Sequence, residues 1–297
     1  MLSSAEIAVT VVVGAGMVVS SLRHRGDELL DPRGGVARFA ATGSTMGIPL
    51  LHPWANRLSG FTYTAAGRRV TLPSDASLLH LDENGLPLHG LVPSRSHWIV
   101  ERSAADDTQA LLAARLDFSP DAAALAAFPF PHVLRLTFAV STTTLAVMAT
   151  LTPASDVPVP VSFGFHPYLR LPGVPREEWV VALPVGRRLE LDARQLPTGA
   201  SSPVRLAPGA LGARAFDDAF TDLDTPARFT LSGGGRTIAV TFLEGFPMTQ
   251  VFAPAGRSFV CFEPMTAPTN ALVTGGAALP VVHPGATFRA AFSVHLG

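Results

Sequence analysis

Apolar positions along this chain gather into short β-favouring runs at 133–140, 145–151, 157–165, 237–242 and 258–262. Turn residues separate them: 26 glycines and 26 prolines are scattered along the chain and form no linker. At about 8–12 residues per strand and turn, this spacing predicts on the order of twenty strands, enough for two large packed sheets. The expected fold is therefore all-β, a large two-sheet antiparallel β-sandwich with few short helices. The best helical candidate is 121–127, alanine-rich and limited to two turns by Phe128-Pro129.

Segment 7–19 has the apolar content of a secretory leader, but Glu6 stands where a leader carries basic charge. It is also shorter than the roughly 20 residues that cross a bilayer. Its valines on either side of Gly14-Ala15-Gly16 predict a β-hairpin. Gly233-Gly234-Gly235 predicts another hairpin turn, because no Lys-Ser/Thr and no helix follows to make it a phosphate cradle. No repeat, low-complexity tract or charge run divides the chain, so residues 1–297 are expected to form one domain.

Composition narrows the class. Apolar residues make up 47% and charged residues 15%, which supports a large core and excludes a disordered or nucleic-acid-binding chain. A net charge of -1 offers no field for nucleic acid or a membrane surface, so a neutral small molecule fits best as partner. Cys261 has no partner for a disulfide and lies in an apolar run, where a buried, inert thiol and a reducing, cytoplasmic setting are expected. Nothing in the pattern specifies an oligomeric state.

Polar residues interrupt apolar strand ends in four places: His52-Pro53-Trp54-Ala55-Asn56-Arg57, Leu88-His89-Gly90, Gly164-Phe165-His166-Pro167-Tyr168 and Phe262-Glu263-Pro264. In the last two a proline follows the His or Glu. It should keep that residue extended and stop the ladder, leaving the side chain at the lip of a sheet. His-Pro recurs at His52, His166 and His283, so the dipeptide alone has no specificity. A carboxylate directly after an apolar run is costly to bury unpaired, so Glu263 either turns to solvent or is held for a purpose. Metal binding is disfavoured, since no histidine pair has zinc spacing and Cys261 stands alone. No Gly-x-Ser-x-Gly elbow marks a serine hydrolase.

Taken in order, these segments resemble the aldose 1-epimerase (galactose mutarotase) family. The likeness runs from Gly14-Ala15-Gly16-Met17 and Gly26-Asp27-Glu28-Leu29-Leu30 to Glu263-Pro264-Met265-Thr266. It implies a galactose mutarotase-like supersandwich and a free aldose as substrate, interconverted between anomers without cofactor or metal. It also implies Glu263 as base, His166 as acid, His89 as a further catalytic group, and Asn56, Arg57 and Asp217 as substrate ligands. Asp218 rivals Asp217 for that place, and Trp54 could stack on the sugar or pack in the core. Ring opening needs one base and one acid on opposite edges of the sugar. An acidic His166 must begin protonated, although a free imidazole titrates at about 6.5, so Glu263 and Asp217 are expected to favour its cation. A bell-shaped pH profile set by the coupled pair follows.

Where the family often carries an acidic residue before alanine, this chain has Asn270-Ala271. Two other functions compete. A hexose 6-phosphate epimerase would need a basic cluster, for which the sequence offers Arg57, Arg68, Arg69 and Arg95. A non-catalytic sugar-binding module would need the pocket alone.

Overall fold

The computed structural model describes residues 1–73, 77–93, 97–106 and 108–297. Alternation along the strands sorts side chains to two faces. In the antiparallel pair His132–Ser141 and Thr144–Pro153, alternate residues are buried. This pair belongs to a nine-stranded sheet. Its order is Trp98–Ala105, Ala110–Asp117, His132–Ser141, Thr144–Pro153, Phe288–Leu296, Arg236–Glu244, Ala227–Gly233, Val180–Ala182, Gly209–Ala210. The second sheet runs Pro197–Pro203, Val185–Leu191, Phe216–Leu223, Met248–Ala253, Val260–Met265, Gly164–Phe165, Leu50–Leu51, and Tyr168–Leu169 also pairs with Val260–Met265.

Aromatic side chains join the two sheets. Phe229 of the first stacks on Phe262 of the second at 5.5 Å, and Phe292 meets Phe165 at 5.0 Å. One continuous apolar cluster draws on both inner faces and on the N-terminal strands. The expected β-sandwich is therefore present, with all pairings in the two large sheets antiparallel.

Segment 7–19 forms the expected hairpin: Ile7–Val12 and Val18–His24 pair across a 3-10 turn that Gly16 closes at φ 66°. Gly234 and Gly235 both take positive φ between Ala227–Gly233 and Arg236–Glu244, a turn of the kind that glycine permits. Helix Ala122–Ala127 starts at Asp121, whose carboxylate accepts the N–H groups of Ala123 and Ala124. Helices Gly35–Thr42 and Ala271–Thr274 had no counterpart in the sequence reading. No helix among the described residues is long and apolar enough to cross a membrane.

Two expectations need correction. The run 157–165 is not one strand but two short ones, Val159–Pro160 and Gly164–Phe165. Pro264 does not stop its ladder: Val260–Met265 stays paired with Met248–Ala253 through Pro264 to Met265. Glu263 therefore sits within a strand flanked on both sides, not at a sheet lip.

Candidate active site

Strand parity builds the floor of the site. In Val260–Met265, Val260 and Phe262 join the core between the sheets, which turns Cys261, Glu263 and Met265 to the other face. In Met248–Ala253, Val251 and Ala253 face the core, leaving Gln250 and Phe252 beside Glu263 and Cys261 as cross-strand partners. Register extends the row to the next strand, where Asp217 opposes Phe252. Asp218 falls on the opposite face with Val251 and pairs with Arg188, so Asp217 is the aspartate that lines the cavity.

A loop around Asn56 and the short strand Pro87–Leu91 supply the roof. Asn56 and His89 both adopt left-handed backbone, at φ 58° and 63°. They clasp each other: the His89 N–H donates to the Asn56 carbonyl at 2.9 Å, and the Asn56 N–H donates to His89 Nδ1 at 3.3 Å. That bond fixes the tautomer, leaving the proton on Nε2. Gly90 follows at φ 81°, where a Cβ would lie 2.1 Å from the His52 carbonyl oxygen, so only glycine fits there. The Arg57 guanidinium donates to Asp82 at 2.7 Å and to Asn56 Oδ1 at 3.0 Å. Gln250 donates to Asp217 at 2.7 Å.

His166 follows Gly164–Phe165, and its ring stacks on Tyr168 with centroids 4.4 Å apart and planes 7° apart. His89 meets its edge at 5.5 Å and Phe252 at 5.9 Å. Nε2 lies 3.2 Å from Glu263 Oε1, so the two groups touch and stand side by side on the cavity wall, not on opposite edges of a sugar as expected. The Tyr168 hydroxyl, itself 2.6 Å from that of Thr45, is 3.4 Å from the same nitrogen. His166 Nδ1 and Glu263 Oε2 are buried and, among the described residues, have no hydrogen-bond partner.

These groups surround a cavity of about 240 Å³. That is just below the roughly 300–1,000 Å³ of drug-sized sites and suits one sugar ring. All six residues named from sequence, Asn56, Arg57, His89, His166, Asp217 and Glu263, line it. Sequence reasoning missed Gln250, Asp82 and the aromatic wall of Tyr168 and Phe252; Gln250 was the one visible signal, a lone amide in an apolar strand. Trp54 is fully buried in the core and lines no part of this cavity. A larger cavity of about 1000 Å³, bordered by Val13, Trp98 and Phe118, adjoins His52 but none of these six.

Burial dominates the electrostatics. It holds His166 down at about 3, with Arg33 adding to the effect, and it raises Glu263 well above the usual carboxylate range, helped by Asp217. The expectation that nearby carboxylates favour the His166 cation is not met: the shift runs downward, with burial its largest cause and neither Glu263 nor Asp217 raising it. Both shifts run toward the uncharged forms, a protonated Glu263 carboxyl beside a neutral imidazole. Burial likewise keeps His89 neutral, so its Nε2–H is a hydrogen-bond donor, and it raises Asp217. Among the described residues, no three His, Cys, Asp or Glu side chains cluster as a metal site.

Solved structures share this architecture. A protein from Synechocystis sp. PCC 6803 is 23% identical, with a TM-score of 0.77 over 100% of this chain and 96% of its own. A galactose mutarotase-like protein from Clostridium acetobutylicum is 17% identical, with a TM-score of 0.84 over 98% and 93%. Galactose 1-epimerase from Lactobacillus acidophilus NCFM is 15% identical, with a TM-score of 0.77 over 99% and 92%. At these identities the likeness establishes the fold, here galactose mutarotase-like. The family is set by sequence: the aldose 1-epimerase model matches residues 4–295, and the chain belongs to the aldose 1-epimerase family.

Proposed function

We propose that this chain is a mutarotase that opens and recloses the ring of an aldose. The observation that carries the reading is the 3.2 Å contact between His166 and Glu263 on the wall of a cavity sized for one sugar. A pair that holds one proton presents one acid and one base whichever partner carries it. When substrate binds, the proton passes from Glu263 to His166. Glu263 then accepts the proton of the anomeric hydroxyl as His166 protonates the ring oxygen, and the C1–O5 bond breaks. Rotation about C1–C2 turns the other carbonyl face to the pair. Reversal of the two transfers closes the ring as the opposite anomer, and the pair again holds one proton.

The remaining groups have roles consistent with their geometry. His89 Nε2–H and the Arg57 guanidinium donate to sugar oxygens, and Asp217, oriented by Gln250, accepts from hydroxyls. Asn56 holds both the strand bearing His89 and Arg57 in place. The hydroxyls of a bound sugar also supply hydrogen bonds to the unpartnered polar atoms of the pair.

The test is polarimetry on freshly dissolved α-D-glucose and α-D-galactose. Wild type should speed the decay of rotation, and Glu263→Gln and His166→Asn should each lower kcat by about 10²–10⁴-fold. Decay at the buffer rate with both sugars, while the sugars still bind, would reassign the chain as a non-catalytic sugar-binding module.

A further inference from the structure

The cavity of about 1000 Å³ beside His52 shares a wall with the catalytic roof but none of the six residues beneath it. His52 and Leu91 both line it, and the His52 carbonyl accepts the Leu91 N–H at 3.0 Å. The first residue opens the segment that runs to Arg57, and the second closes the strand Pro87–Leu91 that carries His89. The cavity is several-fold larger than the catalytic one, at about 240 Å³. If that smaller space suits one sugar ring, this one has room for a short chain of rings.

Its walls are apolar with a few polar groups, the usual make-up of a ligand pocket. Leu91, Leu116, Phe118 and Pro120 supply apolar surface. Trp98, opposite Leu116 in register, adds an indole whose Nε1 is buried without a hydrogen-bond partner. A donor left so is costly, and a ligand oxygen would relieve it. His52 supplies the reverse. His132 Nδ1 lies 2.7 Å from the Phe130 carbonyl, which can only accept, so that nitrogen carries the proton. Burial holds both imidazoles below their ordinary range and so uncharged. His132 Nε2 therefore accepts from His52 Nε2–H at 2.9 Å, and His52 Nδ1 is left as a bare acceptor.

Charge on the wall selects neither ion. Asp117 and Asp121 accept backbone N–H groups from Ser119 and from Ala123 and Ala124 and, among the described residues, have no ion-pair partner, which disfavours an anion. A cation would meet Arg115, which pairs with Glu101; Arg68 and Arg69 do not line the cavity, and Arg95 lies outside the described residues. Hydroxyl groups meet both demands at once: they donate to the two carboxylates and to His52 Nδ1, and accept from Trp98. We infer that this cavity is a second, non-catalytic site, and that its ligand is a neutral oligosaccharide with C–H faces on the apolar wall and hydroxyls on Trp98, Asp117, Asp121 and His52. The mutarotase reading is not needed for this inference.

The test is calorimetry with maltotriose, cellotriose and xylotriose. At least one should bind at one equivalent per chain at millimolar concentration. Trp98→Phe, which keeps a ring and removes the N–H, and Asp117→Asn, which removes the charge, should each weaken it about tenfold. Glu263→Gln should leave the affinity unchanged. In wild-type protein the Trp98 indole N–H resonance should shift on titration while those of the fully buried Trp54 and Trp179 stay in place, a readout independent of how well the variants fold. Binding that Glu263→Gln abolishes and Trp98→Phe spares puts the trisaccharide in the catalytic cavity and overturns the site, as does an unmoved Trp98 resonance. Binding by none of the three, or uptake of indole in their place, overturns the saccharide assignment. Neither readout depends on anomer exchange, so this inference and the mutarotase reading fail separately.

Discussion

Gly164 offers a way to move His166 away from Glu263, the proposed acid and base, without touching either. It pairs with Met265 across the ladder that carries Glu263, and His166 lies two residues further on. A Cβ at Gly164 would lie 2.7 Å from the Pro264 carbonyl oxygen and 3.1 Å from Ala55, about 0.7 Å inside the 3.4 Å at which ordinary contact begins. Backbone oxygen cannot rotate away, so Gly164→Ala must part the two strands by a comparable distance. A 1 Å misplacement of reacting groups costs on the order of 10²-fold. The shift here corresponds to a kcat loss of about 30-fold, or about 2 kcal/mol of barrier. Overpacking should also lower stability by about 1–3 kcal/mol, so the rate is compared below the unfolding transition. Polarimetry provides the assay. Gly14→Ala, whose Cβ meets nothing within 4 Å, is the matched control and should keep the wild-type rate. A folded Gly164→Ala protein within about threefold of wild type would refute the claim that strand spacing sets catalysis.

Three further outcomes are expected. His132, buried at 2.9 Å from His52, is held down at about 4 by burial, against about 6.5 when unfolded. The unfolded chain binds more protons between those values, so stability should be whole above pH 6.5 and fall by about 3 kcal/mol as pH drops to 4. Equal urea midpoints at pH 7 and 4.5 would contradict this. The buffer-corrected kcat/KM should show no fall with a midpoint near 6.5, because the His166 cation forms only near 3; it should decline on the alkaline side as the pair loses its proton. A descending limb centred on 6.5 would restore a solvent-like imidazole. Asp82→Asn removes the buried countercharge of Arg57 and should raise KM about tenfold with a smaller effect on kcat, so an unchanged KM would show that Arg57 needs no anchor.

The order of motifs exposed the six cavity residues because each stands at a polar interruption that the strand pattern does not require. Local chemistry revealed the hairpin at Gly14-Ala15-Gly16 and the helix after Asp121. The rest depended on contacts distant in sequence. Parity placed Asp217, not Asp218, in the cavity, and it could be read only once Asp217 was known to oppose Phe252. The shift of His166 runs opposite to the expectation because its burial comes from Tyr168, His89 and Phe252, brought together by three different segments.

The strand Val260–Met265 serves two masters at alternate residues: Val260 and Phe262 seal the interior, and Glu263 faces the cavity on the reverse side. Exchange of its outward neighbours Gln250 and Phe252 would retune what the protein accepts while the inner layer keeps it folded. A one-residue slip of this strand would cost the interior and the cavity lining together, so an intact fold with a scrambled cavity is not a state this architecture can readily reach.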